Sequence, residues 1–144
     1  MTPDVNVVVA ASRADHPHHA VASAWLEAAL AACYGGQRFT LLPMVAAGFL
    51  RLVTHPKVFV RPTPIVAAQA FLAAIVNTSG MEMARLGDEW LLFEQLCETH
   101  RLTGNAIPDA WIAAAVQANH EHLVTFDKEF RRFLKPNALT VLSP

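Results

Sequence analysis

The sequence predicts an α/β fold in which helices cover a parallel sheet, and three observations carry that expectation. Short apolar or β-branched runs alternate with longer segments of helical periodicity along nearly the whole chain. Strands separated by helices imply crossover connections, and therefore parallel pairing with helices on the faces of the sheet. The composition agrees: 144 residues, 53% hydrophobic and 16% charged, form one alanine-rich domain long enough to bury a core.

Residues 5–11 form a short apolar run that periodicity cannot assign, either a buried strand or the start of a helix. Asp15-His16-Pro17 punctuates it. From 18 to 33, Val21, Ala22, Trp25, Leu26, Ala29 and Leu30 recur at helical spacing, and Gly35-Gly36 ends the element. Residues 39–42 read as a strand ending at Pro43, and 44–53 as a helix closed by Thr54-His55-Pro56. Pro64 suits the first turn of a further helix to about Asn77, with Thr63 as its cap. A weak strand over 81–86 precedes a helix capped by Asp88, which would carry Trp90, Leu91, Phe93, Leu96 and Cys97 toward the core. Pro108 opens an alanine-rich helix through about Asn119. Residues 122–126 read as a buried strand, 128–134 as a short helical segment and 140–142 as a last strand.

The net charge of −1 excludes a basic nucleic-acid coat protein but leaves room for a local basic patch. Arg51, His55, Lys57 and Arg61 could form one, as could Lys128, Arg131, Arg132 and Lys135; scattered solubilising charge is the alternative for both groups. Cys33 and Cys97 stand far apart, without a CxxC or Cys/His pairing, and are read as small core residues of a protein from a reducing compartment. No run approaches eighteen apolar residues, and the N-terminus lacks a signal-peptide pattern. A cytoplasmic, soluble protein with no membrane association is expected. His16, His18 and His19 have no partner at zinc-ligand spacing. A serine-nucleophile elbow and a glycine-rich phosphate loop are both missing.

The chemistry concentrates in three aspartates at junctions: Asp4 in Pro3-Asp4-Val5-Asn6, Asp109 in Ile107-Pro108-Asp109-Ala110, and Asp127 in Val124-Thr125-Phe126-Asp127. In open α/β sheets the site lies beyond the carboxyl ends of the strands. Asp127 follows a strand directly, and Asp4 reaches the same rim if the first strand is the very short stretch before it. Asp109 sits in a first helical turn, where the helix dipole favours a carboxylate. Three such carboxylates would hold Mg²⁺ or Mn²⁺, which polarises a phosphoryl group and activates water. Each also has an ordinary alternative: a dipole partner for Asp109, a cap for Asp127, a terminal charge for Asp4. Asn6 could steady a carboxylate or cap the following segment. Asn105 after Gly104 marks a turn.

Taken in register, these motifs resemble a PIN-domain protein, specifically a VapC-type toxin ribonuclease. The resemblance rests on Pro3-Asp4-Val5-Asn6-Val7, Ala47-Gly48-Phe49-Leu50-Arg51-Leu52-Val53-Thr54-His55-Pro56, Pro108-Asp109-Ala110-Trp111-Ile112-Ala113-Ala114 and Thr125-Phe126-Asp127-Lys128-Glu129-Phe130. It spans nearly the entire chain, so residues 1–144 are expected to be a single PIN domain. The resemblance implies a Rossmann-like three-layer sandwich with a central parallel sheet flanked by helices. It also implies a Mg²⁺- or Mn²⁺-dependent endoribonuclease acting on RNA of the translation machinery, a VapB-type antitoxin that neutralises it, and a homodimer. Asp4, Asp109 and Asp127 are carried over as metal-binding and catalytic residues, with Asn6 supporting them. The same resemblance makes residues 7–11 helical despite their β-branched content, with Asn6 near the cap.

One position departs from the pattern. Many PIN domains carry Glu two residues before the Gly-Phe pair, and here Ala46 stands there, beside Ala47. Three aspartates would then suffice, or another acid would substitute, Glu129 being the nearest in sequence. The departure motivates a rival reading, a catalytically weakened PIN-like module that binds RNA or antitoxin. A third reading is an aspartate phosphotransfer domain of receiver or haloacid type. It lacks a second acid at Asn6 and an obvious site lysine. Trp25 and Phe49 are expected in the core rather than at a partner surface.

Overall fold

The computed structural model describes residues 1–144 and contains five short strands and six helices. They run β1 (Thr2–Pro3), α1 (Val5–Ser12), α2 (His19–Tyr34), β2 (Phe39–Leu41), α3 (Pro43–Val53), α4 (Ile65–Val76), β3 (Met81–Met83), α5 (Trp90–Thr99), α6 (Ala106–Ala118), β4 (Leu123–Thr125) and β5 (Leu139–Val141). Two 3₁₀ segments, Lys128–Arg132 and Pro136–Ala138, lie between the last two strands.

Every strand pair is parallel. Thr2 lies opposite Leu123 and Pro3 opposite Val124, β5 flanks the other edge of β4, and β2 pairs with β3. The Thr40 amide donates to the Met1 carbonyl at 2.9 Å, joining the two ladders so that the strands read β3-β2-β1-β4-β5. The chain leaves β1 toward β2 and β3, and leaves β4 in the opposite direction toward β5. The carboxyl ends of β1 and β4 therefore border the point where the winding reverses, which is where such sheets leave a crevice.

The ambiguous run after β1 is helical. Val7 to Ala11 are all buried, because α1 packs against α2, α3 and β4. A helix covered on most of its faces gains enough from packing to override the weak helix preference of three consecutive valines. Its cap is Asp4, whose carboxylate accepts from the Val5 amide, while Asn6 sits inside the first turn. Gly48 lets α3 approach that turn closely: a Cβ there would stand 3.1 Å from Val5 Cγ2. Phe49 is fully buried and Trp25 packs partly against the core, as expected. Cys33 is buried and Cys97 half-buried.

Several local expectations need correction. Thr63 does not cap α4. Its hydroxyl accepts from Arg13, whose buried guanidinium also binds Asp15 and the Arg61 carbonyl. Pro64 is the residue before the helix, not in its first turn. Asp88 caps nothing; Glu89 precedes α5 and its carboxylate turns back to the Gly87 amide and across to Trp111. No residue of α5 is fully buried, and Trp90 and Leu91 are 52% and 72% exposed. Helix α5 rests mainly on α6, so only one side of it, with Phe93, Leu96 and Cys97, reaches the core. Helix α6 starts at Ala106, two residues before Pro108, since proline is tolerated anywhere in the first turn.

Candidate active site

Three elements bring the aspartates to one rim. Asp4 ends β1: its amide donates to the Val124 carbonyl at 2.9 Å, extending the ladder, and its side chain opens α1. Asp127 follows β4 by two residues and caps the 3₁₀ segment, Oδ1 accepting from the Glu129 amide at 2.8 Å. Asp109 stands in the first turn of α6. All three, with Asn6, line one cleft of about 850 Å³.

Thr125 is the hub between them, and the sequence reading gave it no role. Its hydroxyl donates to Asp4 Oδ2 at 2.6 Å and accepts from the Asp127 amide at 2.9 Å and from Asn6 Nδ2 at 3.1 Å. Asn6 Oδ1 accepts in turn from the Phe126 amide at 3.2 Å. Asn6 is thus neither a cap nor a free ligand: it ties the first turn of α1 to the exit of β4 and fixes Asp4 relative to Asp127. The signal for Thr125 was its place two residues before Asp127 in a strand. A threonine in a buried strand is common enough that pattern alone does not single it out.

The electrostatics set these acids apart. Burial pushes the Asp4 carboxyl up to about 6; the Thr125 and Val5 hydrogen bonds oppose that rise, and the Asp127 charge adds to it. Asp109 is also raised to about 6, first by burial, then by the charges of Asp4 and Asp127. No hydrogen bond offsets the rise at Asp109. Acids raised by burial and by neighbouring carboxylates mark functional sites more often than structural ones.

The donor chemistry fits a hard divalent cation: three carboxylates of like charge in one cleft, none in an ion pair. Their oxygens are not yet gathered as a ligand set, for no three acidic, histidine or cysteine side chains stand close enough to hold one ion. Both Asp4 oxygens are engaged by Val5 and Thr125, and repulsion keeps the others apart.

No fourth acid joins the cleft. Helix α3 presents Met44, Ala47, Gly48 and Arg51 to it, so neither Ala46 nor its neighbour supplies a carboxylate. Glu129 is exposed and outside the lining. Arg51 is the one cationic side chain lining the cleft; the other basic residues named above lie elsewhere on the surface. Asn105, read as a turn residue, also lines it. The histidine group lies on the flank: His18 stacks on Phe126 at 4.7 Å, and His19 Nδ1 meets the Ala10 carbonyl.

A parallel α/β domain with acids beyond β1 and β4 and in the first turn of α6 defines a class, and sequence comparison names it. The PIN domain family model matches residues 1–135, and the chain belongs to that family. Ribonuclease VapC31 of Mycobacterium tuberculosis is 37% identical over 131 residues, covering 90% of each chain. Ribonuclease VapC25 of the same species shows 37% identity with the same coverage, and Ribonuclease VapC43 36% over 90% of this chain and 87% of its own. Within the PIN family the chain therefore groups with the VapC ribonucleases. Among solved structures, VapBC2 from Rickettsia felis, bound to a DNA fragment from their promoter, aligns over 97% of this chain and 96% of its own. Its TM-score is 0.67 at 20% identity, a likeness of fold. No helix is long and apolar enough to cross a membrane.

Proposed function

We propose that this protein is the toxin of a type II toxin–antitoxin pair, an endoribonuclease that hydrolyses phosphodiester bonds in RNA of the translation machinery. The observation that carries the reading is the meeting of Asp4, Asp109 and Asp127 in one cleft of a PIN fold whose relatives at 37% identity are named ribonucleases. Asp4 and Asp109 would hold Mg²⁺ or Mn²⁺, and Asp127 would hold the ion or the attacking water. When bound, such an ion polarises the phosphoryl group and lowers the pKa of a coordinated water.

The chain's own residues prepare that chemistry. Thr125 and Val5 fix the Asp4 carboxylate by both oxygens, and Asn6 locks the exit of β4 against α1. Asp109, to which no hydrogen bond is made, would complete the set that holds the ion. Burial and then the charges of Asp4 and Asp127 raise its pKa, so a cation held there would offset both and couple ion binding to folding through this residue. In the cell the partners are a VapB-type antitoxin and a second copy of the chain, the whole of residues 1–144 acting as one PIN domain in the cytoplasm.

The test uses protein freed of its partner and incubated with RNA and Mg²⁺ or Mn²⁺. Wild type cleaves, while Asp4→Asn and Asp109→Asn do not, with circular dichroism unchanged. Full metal-dependent activity in both variants would sink the assignment. The carboxylate-free face of α3 favours the second reading, a weakened PIN module. RNA bound tightly by wild type but left intact under either metal would select it.

A further inference from the structure

Beyond the aspartates, the cleft continues into an apolar wall that phosphodiester hydrolysis does not require. Half of its eighteen lining residues are hydrophobic, including Leu86, Phe93, Ile107 and Trp111. Leu86 and Ile107 remain 36% and 38% exposed, so no other element covers this wall.

Trp111 is mounted rather than merely packed. Its Nε1–H donates to Glu89 Oε1 at 2.9 Å, while the Gly87 amide donates to Oε2 at 2.6 Å. Glu89 is only 2% exposed, so a buried carboxylate grips the indole by its edge in a charge-assisted bond. Phe93 lies 6.5 Å from Trp111, and exposed Trp90 lies 5.2 Å from Phe93, making a line of rings from the cleft to the surface. Trp111 and Asp109 both stand on α6 and both line the cleft.

We propose that Trp111 and Phe93 form a nucleobase-stacking subsite, taking an unpaired base of single-stranded RNA whose phosphodiester lies at Asp4, Asp109 and Asp127. The inference rests on the ribonuclease reading for its choice of ligand. Stacking on aromatic rings is how proteins engage unpaired bases, and a duplex keeps its base faces covered. A ring already clamped by its edge loses little freedom on binding. Arg51 is the cleft's one cationic side chain, and a polyanion needs a contact of that sign.

The experiment measures binding, with Ca²⁺ replacing Mg²⁺ to hold back cleavage. The ligands are a short oligoadenylate and an abasic ribose–phosphate oligomer of equal length. Wild type prefers the oligoadenylate. Trp111→Leu loses about 5- to 150-fold for the oligoadenylate, the range of one stacked base, and nothing for the abasic oligomer. Trp111→Phe keeps most of the affinity, and Phe93→Leu serves if Trp111→Leu fails to fold. In a Trp25→Phe/Trp90→Phe background, oligoadenylate quenches the remaining Trp111 fluorescence.

Equal binding of the two oligomers, or unchanged oligoadenylate affinity in Trp111→Leu, overturns the subsite. A Trp111→Leu variant that keeps RNA affinity but no longer binds the antitoxin assigns the wall to a protein side chain and overturns it too. Cleavage without base dependence removes the subsite alone. Base-dependent binding through Trp111 without any cleavage keeps the subsite and removes the ribonuclease reading.

Discussion

Two sets of buried acids in this molecule are treated in opposite ways. Glu89 and Glu121 are surrounded by donors. Glu121 receives the Thr40 hydroxyl at 2.6 Å, Arg38 Nε at 2.9 Å and the Met1 amine at 3.2 Å. Burial pushes Glu89 up, but the Trp111 and Gly87 hydrogen bonds outweigh it and hold the carboxyl below its ordinary value. In the cleft the balance reverses. Burial and the charge of neighbouring aspartates leave Asp4 and Asp109 at about 6, the first despite two hydrogen bonds and the second with none. Burial alone therefore does not decide what an acid is for; the balance of burial, hydrogen bonds and neighbouring charge does. The fold satisfies Glu89 and Glu121 from within, while Asp4 and Asp109 keep raised pKa values, Asp109 without a hydrogen bond to its carboxylate.

The strongest way to break the comparison is to neutralise a cleft acid. Asp4→Asn or Asp109→Asn should lower RNA cleavage by more than about 100-fold, beyond the loss from a supporting residue alone. Glu129→Gln should leave cleavage unchanged, since that side chain stands outside the cleft.

Acidity separates the two sets next. The folded-state pKa of Asp4 and Asp109, near 6, lies above the ordinary 3.8. Stability linked to them is fully present below 3.8 and is lost as pH rises through 6. For Asp4 the two-unit difference corresponds to about 3 kcal/mol; half-buried Asp109 contributes less. Glu89 has the opposite sign: its contribution is present above the ordinary 4.5 and is lost as pH falls through its lower folded value. Denaturant titrations of ion-free protein should show a gain in stability from pH 7 to about 5, and Asp4→Asn should flatten that rise.

Two smaller effects sharpen the contrast. Thr125→Val removes the donor to Asp4 and the acceptor for Asp127 and Asn6, and should reduce cleavage by about 10- to 100-fold with the fold retained. Glu121→Gln keeps an acceptor for Thr40 but loses its pairing with half-exposed cations. It should cost no more than about 1 kcal/mol in chemical denaturation and leave ion binding unchanged.

The two sets also differed in how far the sequence revealed them. Asp4, Asp109 and Asp127 were legible because each ends an apolar segment in a motif with recognisable neighbours, and alternation along the chain showed the parallel α/β arrangement. Thr125 and the bridge from Asn6 to Phe126 were not, because they depend on β1 and β4 lying side by side, more than a hundred residues apart in sequence. The bond between Glu89 and Trp111 escaped notice because it depends on α5 packing against α6. The exposure of Trp90 and Leu91 was missed because the spacing of apolar residues on α5 fits burial, and only tertiary placement shows that one neighbour covers it.

Thermal unfolding of wild type and Asp109→Asn at pH 7, with and without Mn²⁺, tests the central claim most directly. The ion-free variant should melt above ion-free wild type, because a half-buried charge beside Asp4 and Asp127 is gone. Mn²⁺ should raise the melting temperature of wild type in a concentration-dependent way and leave the variant nearly unmoved. A variant that melts lower than wild type without the ion, and gains as much from Mn²⁺, would contradict the account.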